Sequence, residues 1–544
     1  MAFLALSHVS FTYPQAGNAV LRDVSFSLEK GEFAVLCGAT GSGKSTLLRM
    51  LKRELTPLGT LEGSRLFRDT PLESLDDLTA SSAVGFVMQQ PEQQIVTDKV
   101  WHELAFGLEN LGLSQGEMAR RIAETASYFG IGDWFERPVS TLSGGQKQLL
   151  NLASILVMQP EVLLLDEPTA QLDPIAASEF LTTLRRLNED LGLTILIAEH
   201  RLEELVPLCS RMLVMQEGRI AADGAPAGLI QKIRDVPGML EAMPAACRIH
   251  AALSDEPDSP LTVRDGRHFI ESHYPNTIRS LPAEKKTIPE EAALTFENVW
   301  FRYDRHSPDI LRGMELHVRC GEIFCILGGN GSGKSTTLRA AAGLLRPYQG
   351  TIRIFGKKLR EYRNQTLYKE CLAMLPQDVQ TVFLMDTVRE ELEACHADPG
   401  MLPFDLSDIL VQHPYDLSGG QQQMAALAKV LATDPKLLLL DEPTKGMDAG
   451  AKQQFTMALR QLQERGVTVV IVTHDVEFAA ACADRCAMCF GGQIVSAEAP
   501  EHFFSEHMFY TTAVSRMTRG YFDHVIHAEQ AVRLCQMNGG RTCS

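Results

Sequence analysis

The amino-acid sequence is poor in the features that would carry it into or across a membrane. Its apolar stretches, such as Val162 to Leu165, Leu437 to Leu440 and Val467 to Val472, fall far short of the roughly 18 residues that a spanning helix requires. Nor does its start, Met1 to His8, show a basic stretch, an apolar core and a cleavage site, so no export signal is expected and the chain should stay in the cytoplasm. Positive charge is also scarce: 51 Lys and Arg face 68 Asp and Glu, a formal net charge of −17. That balance opposes general electrostatic attraction to nucleic acid or to an anionic lipid surface, and mildly favours protein partners. A paired-cysteine framework is missing too. The 12 cysteines are scattered, and Cys37 and Cys325 sit inside apolar runs, as free buried thiols do in a reducing compartment.

What is present is globular material in quantity. An apolar share of 45% and a charged share of 22% suit packed domains rather than disorder. At 544 residues the chain exceeds what one hydrophobic core organises, so two large domains are expected.

The chain also repeats itself. Gly38-Ala39-Thr40-Gly41-Ser42-Gly43-Lys44-Ser45 returns 290 positions later as Gly328-Gly329-Asn330-Gly331-Ser332-Gly333-Lys334-Ser335. Gln89, Ser143-Gly144-Gly145-Gln146, Asp166-Glu167 and His200 then match Gln377, Ser418-Gly419-Gly420-Gln421, Asp441-Glu442 and His474 in the same order. Serine to aspartate is 23 residues in both halves, and aspartate to histidine 34 and 33, so the halves should share a fold. Glutamine to serine is 54 residues in the first half and 41 in the second, which predicts a shorter segment there. The expected domains are 1–235 and 291–505, joined by a connector over 236–290 that holds seven prolines. A small docked helical element or a plain tether both fit Met239 to Ala252, whose spaced Leu, Met and Ile favour partial order. The tail, 506–544, carries no chemical signal. Cys482, Cys486 and Cys489 have a spacing that could hold an iron–sulfur cluster. The repeat matches them to Leu208, Met212 and Met215, ordinary core residues, so the core reading is preferred.

Each glycine-rich stretch follows an apolar strand (Phe33 to Cys37, Ile323 to Leu327) and precedes a helical pattern (Thr46 to Lys52, Thr336 to Ala342), the context that identifies a phosphate-binding loop. Gly38, Gly41 and Gly43, like Gly328, Gly331 and Gly333, let backbone N–H groups turn onto phosphate oxygens at a helix N-terminus, with Thr46 and Thr336 in its first turn. Lys44 and Lys334 should reach the β- and γ-phosphates, and Ser45 and Ser335 should bind Mg²⁺. Val162 to Leu165 and Leu437 to Leu440 read as strands buried on both faces of a parallel sheet. At their ends, Asp166 and Asp441 can hold the Mg²⁺ shell, while Glu167 and Glu442 can act as general bases on the attacking water.

Phosphate loops occur in many families, but Leu142-Ser143-Gly144-Gly145-Gln146 and its copy Leu417-Ser418-Gly419-Gly420-Gln421 do not. With them the sequence resembles the ATP-binding-cassette superfamily, and the expected fold is α/β: two phosphate-loop domains, each a mainly parallel sheet with flanking helices, an antiparallel β subdomain and a helical subdomain. The signature opens a helix (Gln146 to Val157, Gln421 to Leu431) and again presents N–H dipoles to an anion. The resemblance implies that ATP lies between the loop of one domain and the signature of the other, Lys44 opposite Ser418 and Lys334 opposite Ser143. Joining both domains in one chain makes that pairing intramolecular. It further implies that His200 and His474 contact the γ-phosphate and hold the catalytic geometry. Gln89 and Gln377 would touch Mg²⁺ and the attacking water and sense a membrane partner. Tyr13 and Tyr303 would stack on adenine. Ala170-Gln171-Leu172-Asp173 resembles the cross-dimer coupling loop, with Lys445-Gly446-Met447-Asp448 in its place in the second half. Two hydrolytic sites are expected.

Within the superfamily, Pro91-Glu92-Gln93-Gln94 after Gln89, the run Val100 to Asn110 and Ile197-Ala198-Glu199-His200-Arg201-Leu202-Glu203-Glu204 resemble the ATPases of energy-coupling factor (ECF) importers, and Asp441 to Asp448 has the same character. That likeness implies a transmembrane coupling subunit and a small substrate-binding membrane subunit as partners, uptake of a vitamin or a transition-metal ion, and a peripheral position on the cytoplasmic face of the cell membrane. No nucleic-acid partner is expected. Two alternatives share the tandem layout. A ribosome-associated ABC translation factor usually has a long, helical, basic linker, unlike the proline-broken 236–290. The fused ATPase of a sugar importer commonly has a degraded second phosphate loop, whereas Gly333-Lys334-Ser335 is intact.

Overall fold

The computed structural model describes residues 3–14, 17–282, 289–362, 366–369 and 371–539. Its contacts divide the chain into two compact units, 1–247 with 254–262, and 248–253 with 263–544. The expected connector residues 283–288 and tail residues 540–544 lie outside the described residues.

Both units contain the same pair of sheets. In the first, a six-stranded sheet runs in the order Arg219–Gly224, Arg211–Gln216, Phe33–Gly38, Thr194–Ala198, Val162–Asp166, Val84–Val87. All neighbours are parallel except the Arg211–Gln216 and Arg219–Gly224 hairpin. In the second the order is Gln493–Glu498, Arg485–Phe490, Ile323–Leu327, Thr468–Val472, Leu437–Asp441, Leu372–Leu375. The strands that read as continuous apolar runs are buried along their whole length, as strands covered on both faces must be. A four-stranded antiparallel sheet accompanies each, built around Leu4–Thr12 and Ala292–Phe301. The expected α/β class with an antiparallel subdomain is what the chain adopts. Among the described residues, no helix is long and apolar enough to cross a membrane.

The unequal glutamine-to-serine intervals have a simple cause. The first unit carries helices Val100–Asn110 and Gln115–Tyr128 there, whereas the second has one helix, Val388–Ala394, followed by short 3₁₀ turns. The second segment lacks a counterpart of the 14-residue helix.

The repeat also settles the cysteine geometry. Cys486 stands opposite Cys325 in the sheet just as Met212 stands opposite Val35. Cys482 and Cys486 join the core on one face of that sheet, and Cys489, three residues on, joins the core on the other. Alternation along a strand therefore separates the thiols.

The connector and the tail are folded where described. Helices Met239–Ala242, Ala245–Leu253 and Val263–His273 follow the first sheet, and Pro500–Glu506, Ala513–Thr518 and Ala528–Asn538 follow the second. Within the second unit the Arg267 guanidinium donates to the carbonyls of Arg516, Met517 and Arg519 at 3.1, 3.0 and 2.7 Å, satisfying the end of helix Ala513–Thr518.

Candidate ATP sites

Each phosphate loop leaves the central strand of its sheet, at the carboxyl edge where open α/β sheets bind ligands. Two glycines of the loop have no substitute. At Gly38 and Gly328, φ is +150° and +151°, and an added Cβ would come 2.3 Å from the carbonyl oxygens of Met215 and Cys489. Gly43 and Gly333 start the helices Lys44–Met50 and Lys334–Ala341 at φ +102°, the left-handed region in which glycine costs least.

Inside the loops the wiring is the same in both units. Lys44 Nζ donates to the carbonyls of Gly38 and Ala39 at 2.9 and 3.0 Å, and Lys334 Nζ to those of Gly328 and Gly329 at the same distances. Ser45 Oγ donates to Asp166 Oδ1 at 2.9 Å, and Ser335 Oγ to Asp441 Oδ1 at 2.8 Å. Burial pushes the Asp166 carboxyl up to about 6, against the Ser45 hydrogen bond and with help from the neighbouring Glu167 charge. Asp441 is raised for the same reasons, and its Oδ2 is buried with no hydrogen-bond partner. A buried, orphaned carboxylate oxygen beside a serine hydroxyl suits a hard divalent cation, so the residues present fit Mg²⁺.

Glu167 and Glu442 are strained, with φ of +45° and +51°, a conformation that side-chain-bearing residues adopt only when surroundings impose it. Their N–H groups are pinned to the carbonyls of Ala198 and Val472 at 2.9 and 2.8 Å. The Glu167 carboxylate lies between His200 Nε2 at 2.8 Å and Gln89 Nε2 at 2.7 Å. Glu442 Oε2 meets His474 Nδ1 at 2.8 Å and accepts the His474 N–H at 3.3 Å. Among the described residues, no hydrogen bond joins Gln377 to Glu442. The structure thus gathers Lys44, Ser45, Asp166, Glu167, Gln89 and His200 in one place, and Lys334, Ser335, Asp441, Glu442 and His474 in another.

Tyr13 and Tyr303 sit beside these loops. Their hydroxyls are 3.1 and 3.5 Å from Thr46 Oγ1 and Thr336 Oγ1, and each ring is edge-on to the preceding aromatic, Phe11 or Phe301. The signature serines cap the helices Gly144–Leu156 and Gly419–Leu431 through reciprocal boxes with Gln146 and Gln421. The two signatures differ in packing. A methyl on Gly419 would come 2.7 Å from the Gly446 carbonyl of the coupling-loop segment, whereas one on Gly144 would be 3.9 Å from that of Gln171.

Two sets of contacts were not assigned by the motif reading, although Glu199 and Glu203 lie in the run Ile197 to Glu204. Glu199, 2% exposed, accepts from the N–H groups of Thr169 at 3.0 Å, His200 at 2.9 Å and Arg201 at 3.3 Å, and from the Thr169 hydroxyl. It latches the histidine strand to the segment after Glu167. Thr473 holds that position in the second unit, where Lys452 instead binds Asp475 at 2.6 Å. Second, Glu203 and Glu477, each three residues past the histidine, accept the first N–H of an accessory helix, from Ala245 at 2.8 Å and Ala513 at 2.9 Å. In the sequence this pairing leaves a glutamate three residues after each histidine and Ala-x-x-Arg at 245–248 and 513–516.

Comparison with known proteins agrees with this geometry. The ABC transporter family model matches residues 21–170 and 311–445. A Bacillus cereus protein provisionally named an ABC transporter ATP-binding protein is 40% identical over 546 aligned residues, covering 98% of both chains. The structure of cbiO1 from Clostridium perfringens, part of the ABC transporter complex cbiONQ, is 31% identical, covering 43% of this chain and 96% of that one with a TM-score of 0.39. The archaeal ribosome recycling factor aABCE1, solved with the ribosomal stalk protein aP1, is 20% identical, covers 92% of this chain and 91% of its own with a TM-score of 0.58, and shares the tandem fold. With both loops, both signatures and both acid pairs built and a full-length match to such relatives, the chain belongs to the ABC transporter ATPases, as two ATP-binding cassettes in one polypeptide.

Proposed function

We propose that the chain is the energy-coupling ATPase of an ECF-like importer, on the cytoplasmic face of the membrane, working with a transmembrane coupling subunit and a small substrate-binding membrane subunit to take up a vitamin or a transition-metal ion. The observation that carries this reading is the 2.7 Å hydrogen bond from Gln89 to Glu167. Gln89 opens the segment that leads through Pro91–Gln94 into helix Val100–Asn110, and that segment is itself stapled. Gln94 Oε1 accepts the Met88 N–H at 2.9 Å, and Glu103 accepts from Val96, Thr97 and the Thr97 hydroxyl. A push on this segment from a membrane partner is therefore delivered to the general base. The ECF-like residues Pro91 to Gln94 and Glu199 to Glu204 flank this link on both sides.

In this reading ATP binds head to tail, Lys44 with Ser418 and Lys334 with Ser143. Loop N–H groups and the lysines hold the phosphates, and Glu167 and Glu442 take the proton of the attacking water while His200 and His474 fix their carboxylates. Ser45, Asp166 and Gln89, and Ser335, Asp441 and Gln377, would hold Mg²⁺, which neutralises charge on the β- and γ-phosphates. Tyr13 and Tyr303 offer ring faces to adenine.

Capture of a tagged chromosomal copy from detergent-solubilised membranes tests the assignment. The expected result is co-purification of two hydrophobic subunits that stimulate ATP turnover when reconstituted. Recovery with ribosomes, and no membrane subunit, would overturn it.

A further inference from the structure

The segment after the second cassette returns to that cassette's own phosphate loop. Beyond helix Pro500–Glu506 come Met508 and Phe509, both exposed, and then the half-buried Tyr510. A methyl built on Gly329 would lie 3.4 Å from the Tyr510 hydroxyl oxygen, which is van der Waals contact. The phenol thus lies over the loop, facing Gly329 across the space a methyl would fill, and the Gly329 carbonyl accepts Lys334 Nζ at 3.0 Å.

Tyr510 is anchored from behind. Thr511 and Thr512 are buried at 1% and 0% exposure. Their hydroxyls donate to the carbonyls of Phe504 and Ile526, the second at 2.9 Å, and the Ala513 N–H donates to Glu477 Oε1 at 2.9 Å. Glu477 lies on the helix Val476–Cys482 that starts two residues after His474. Four consecutive residues therefore run from beside the loop that would hold the phosphates to the helix that follows His474. The first cassette has the same capped helix, at Ala245, but the residue three before it is Ala242, where the second has Tyr510, and its loop carries Ala39 in place of Gly329.

We propose that Tyr510 is a positioning residue of the second ATP site, bracing the Gly328–Ser335 loop at Gly329. It acts when Lys334 leaves the Gly328 and Gly329 carbonyls for phosphate. A loop that has lost those two internal hydrogen bonds needs another support to keep its N–H groups converged, and a rigid ring fixed by buried threonines supplies it. The brace governs nucleotide affinity rather than the chemical step, and it gives the second site a dependence on the tail that the first does not share. The proposal rests on the reading of this loop as an ATP site.

The test is site-resolved photolabelling of the full-length protein with an azido-ATP, each loop peptide quantified by mass spectrometry, alongside steady-state ATP hydrolysis. Tyr510→Ala should weaken labelling affinity at the second loop by roughly five- to tenfold. The first loop should stay within about twofold of wild type, and kcat should change less than KM. Tyr510→Phe should fall between, and adding Gly329→Ala to it, a residue the first loop already tolerates, should recover affinity by filling the space of the lost hydroxyl. Wild-type affinity at the second loop in Tyr510→Ala, or equal losses at both loops, would overturn the proposal. Labelling of the second loop that survives Lys334→Ala would instead overturn its reading as an ATP site, so the two failures are distinct.

Discussion

In the first cassette Glu167 is gripped from two sides, by His200 and by Gln89, while a buried Glu199 ties the histidine strand to the segment behind the base. In the second, His474 approaches Glu442 through its other ring nitrogen, Thr473 replaces the latch, and an ion pair between Lys452 and Asp475 pins the residue after His474 to the helix Ala449–Glu464. The helical regions differ in the same spirit. Glu103 is satisfied by hydrogen bonds from its own turn, whereas Glu391, its counterpart, takes Lys429 Nζ at 2.5 Å as well as the N–H groups of Leu384 and Met385. Ser154 stands where Lys429 would be, bonded to the Asn151 carbonyl. The lysines, serines and acids proposed to hold ATP and Mg²⁺ are the same in both cassettes, and the contacts around them are not. The two sites are complete but unequally wired.

The strongest way to expose that difference is to remove Lys429. Burial alone would raise the Glu391 carboxyl, but Lys429 and two backbone N–H groups hold it below its usual range. Lys429→Met leaves a buried carboxylate without its cation, and should cost the second helical region about 3 to 5 kcal/mol by hydrogen exchange. Ser154→Ala at the matching site should cost the first under about 1 kcal/mol. Because the Glu391 pKa is depressed, the pair stabilises at pH above the ordinary glutamate value of 4.5 and is lost as pH falls through the folded value. Protection of Val388–Ala394 should therefore drop in acid in the wild type and not in Lys429→Met.

Next in size is the latch. Glu199→Ala strands the N–H groups of Thr169, His200 and Arg201, and should raise exchange at 199–205 by the equivalent of about 2 to 3 kcal/mol. Thr473→Ala, which removes one acceptor for the Asp475 N–H, should cost about 1 kcal/mol. Smallest is the glutamine pair: Gln89→Ala should slow hydrolysis at the first site roughly tenfold, and Gln377→Ala should slow the second by about threefold or less. Equal effects in any of these pairs would remove that element from the comparison.

Most of the candidate ATP sites was legible because the chemistry proposed for them constrains residue type. A loop that encloses phosphate needs glycine at Gly38 and Gly328 and a lysine, and a buried strand must end at the acid, so Asp166 and Asp441 could be placed from hydropathy alone. Glu199 and Thr473 were not legible as a contrast, since a single position before a histidine says nothing about which N–H groups it will collect. The shortened segment could be measured from the spacing, but which helix was missing could not. Partial order over Met239 to Ala252 was expected, but the tail helices and the anchoring of both accessory helices stayed hidden, because that signal is a long-range contact, Glu203 to Ala245 and Glu477 to Ala513, carried by a carboxylate that reads locally as an exposed helical residue.

In the proposed mechanism each cassette hydrolyses ATP with its own glutamate, Glu167 or Glu442. Single-turnover hydrolysis in Glu167→Gln, Glu442→Gln and the double variant, with nucleotide binding measured in each, tests it most directly. Each single variant should retain burst hydrolysis at the intact site, and the double variant should bind ATP normally yet lose turnover by on the order of 10² or more. Undiminished turnover in the double variant, or complete loss in either single one with the other site still loaded, would contradict the account.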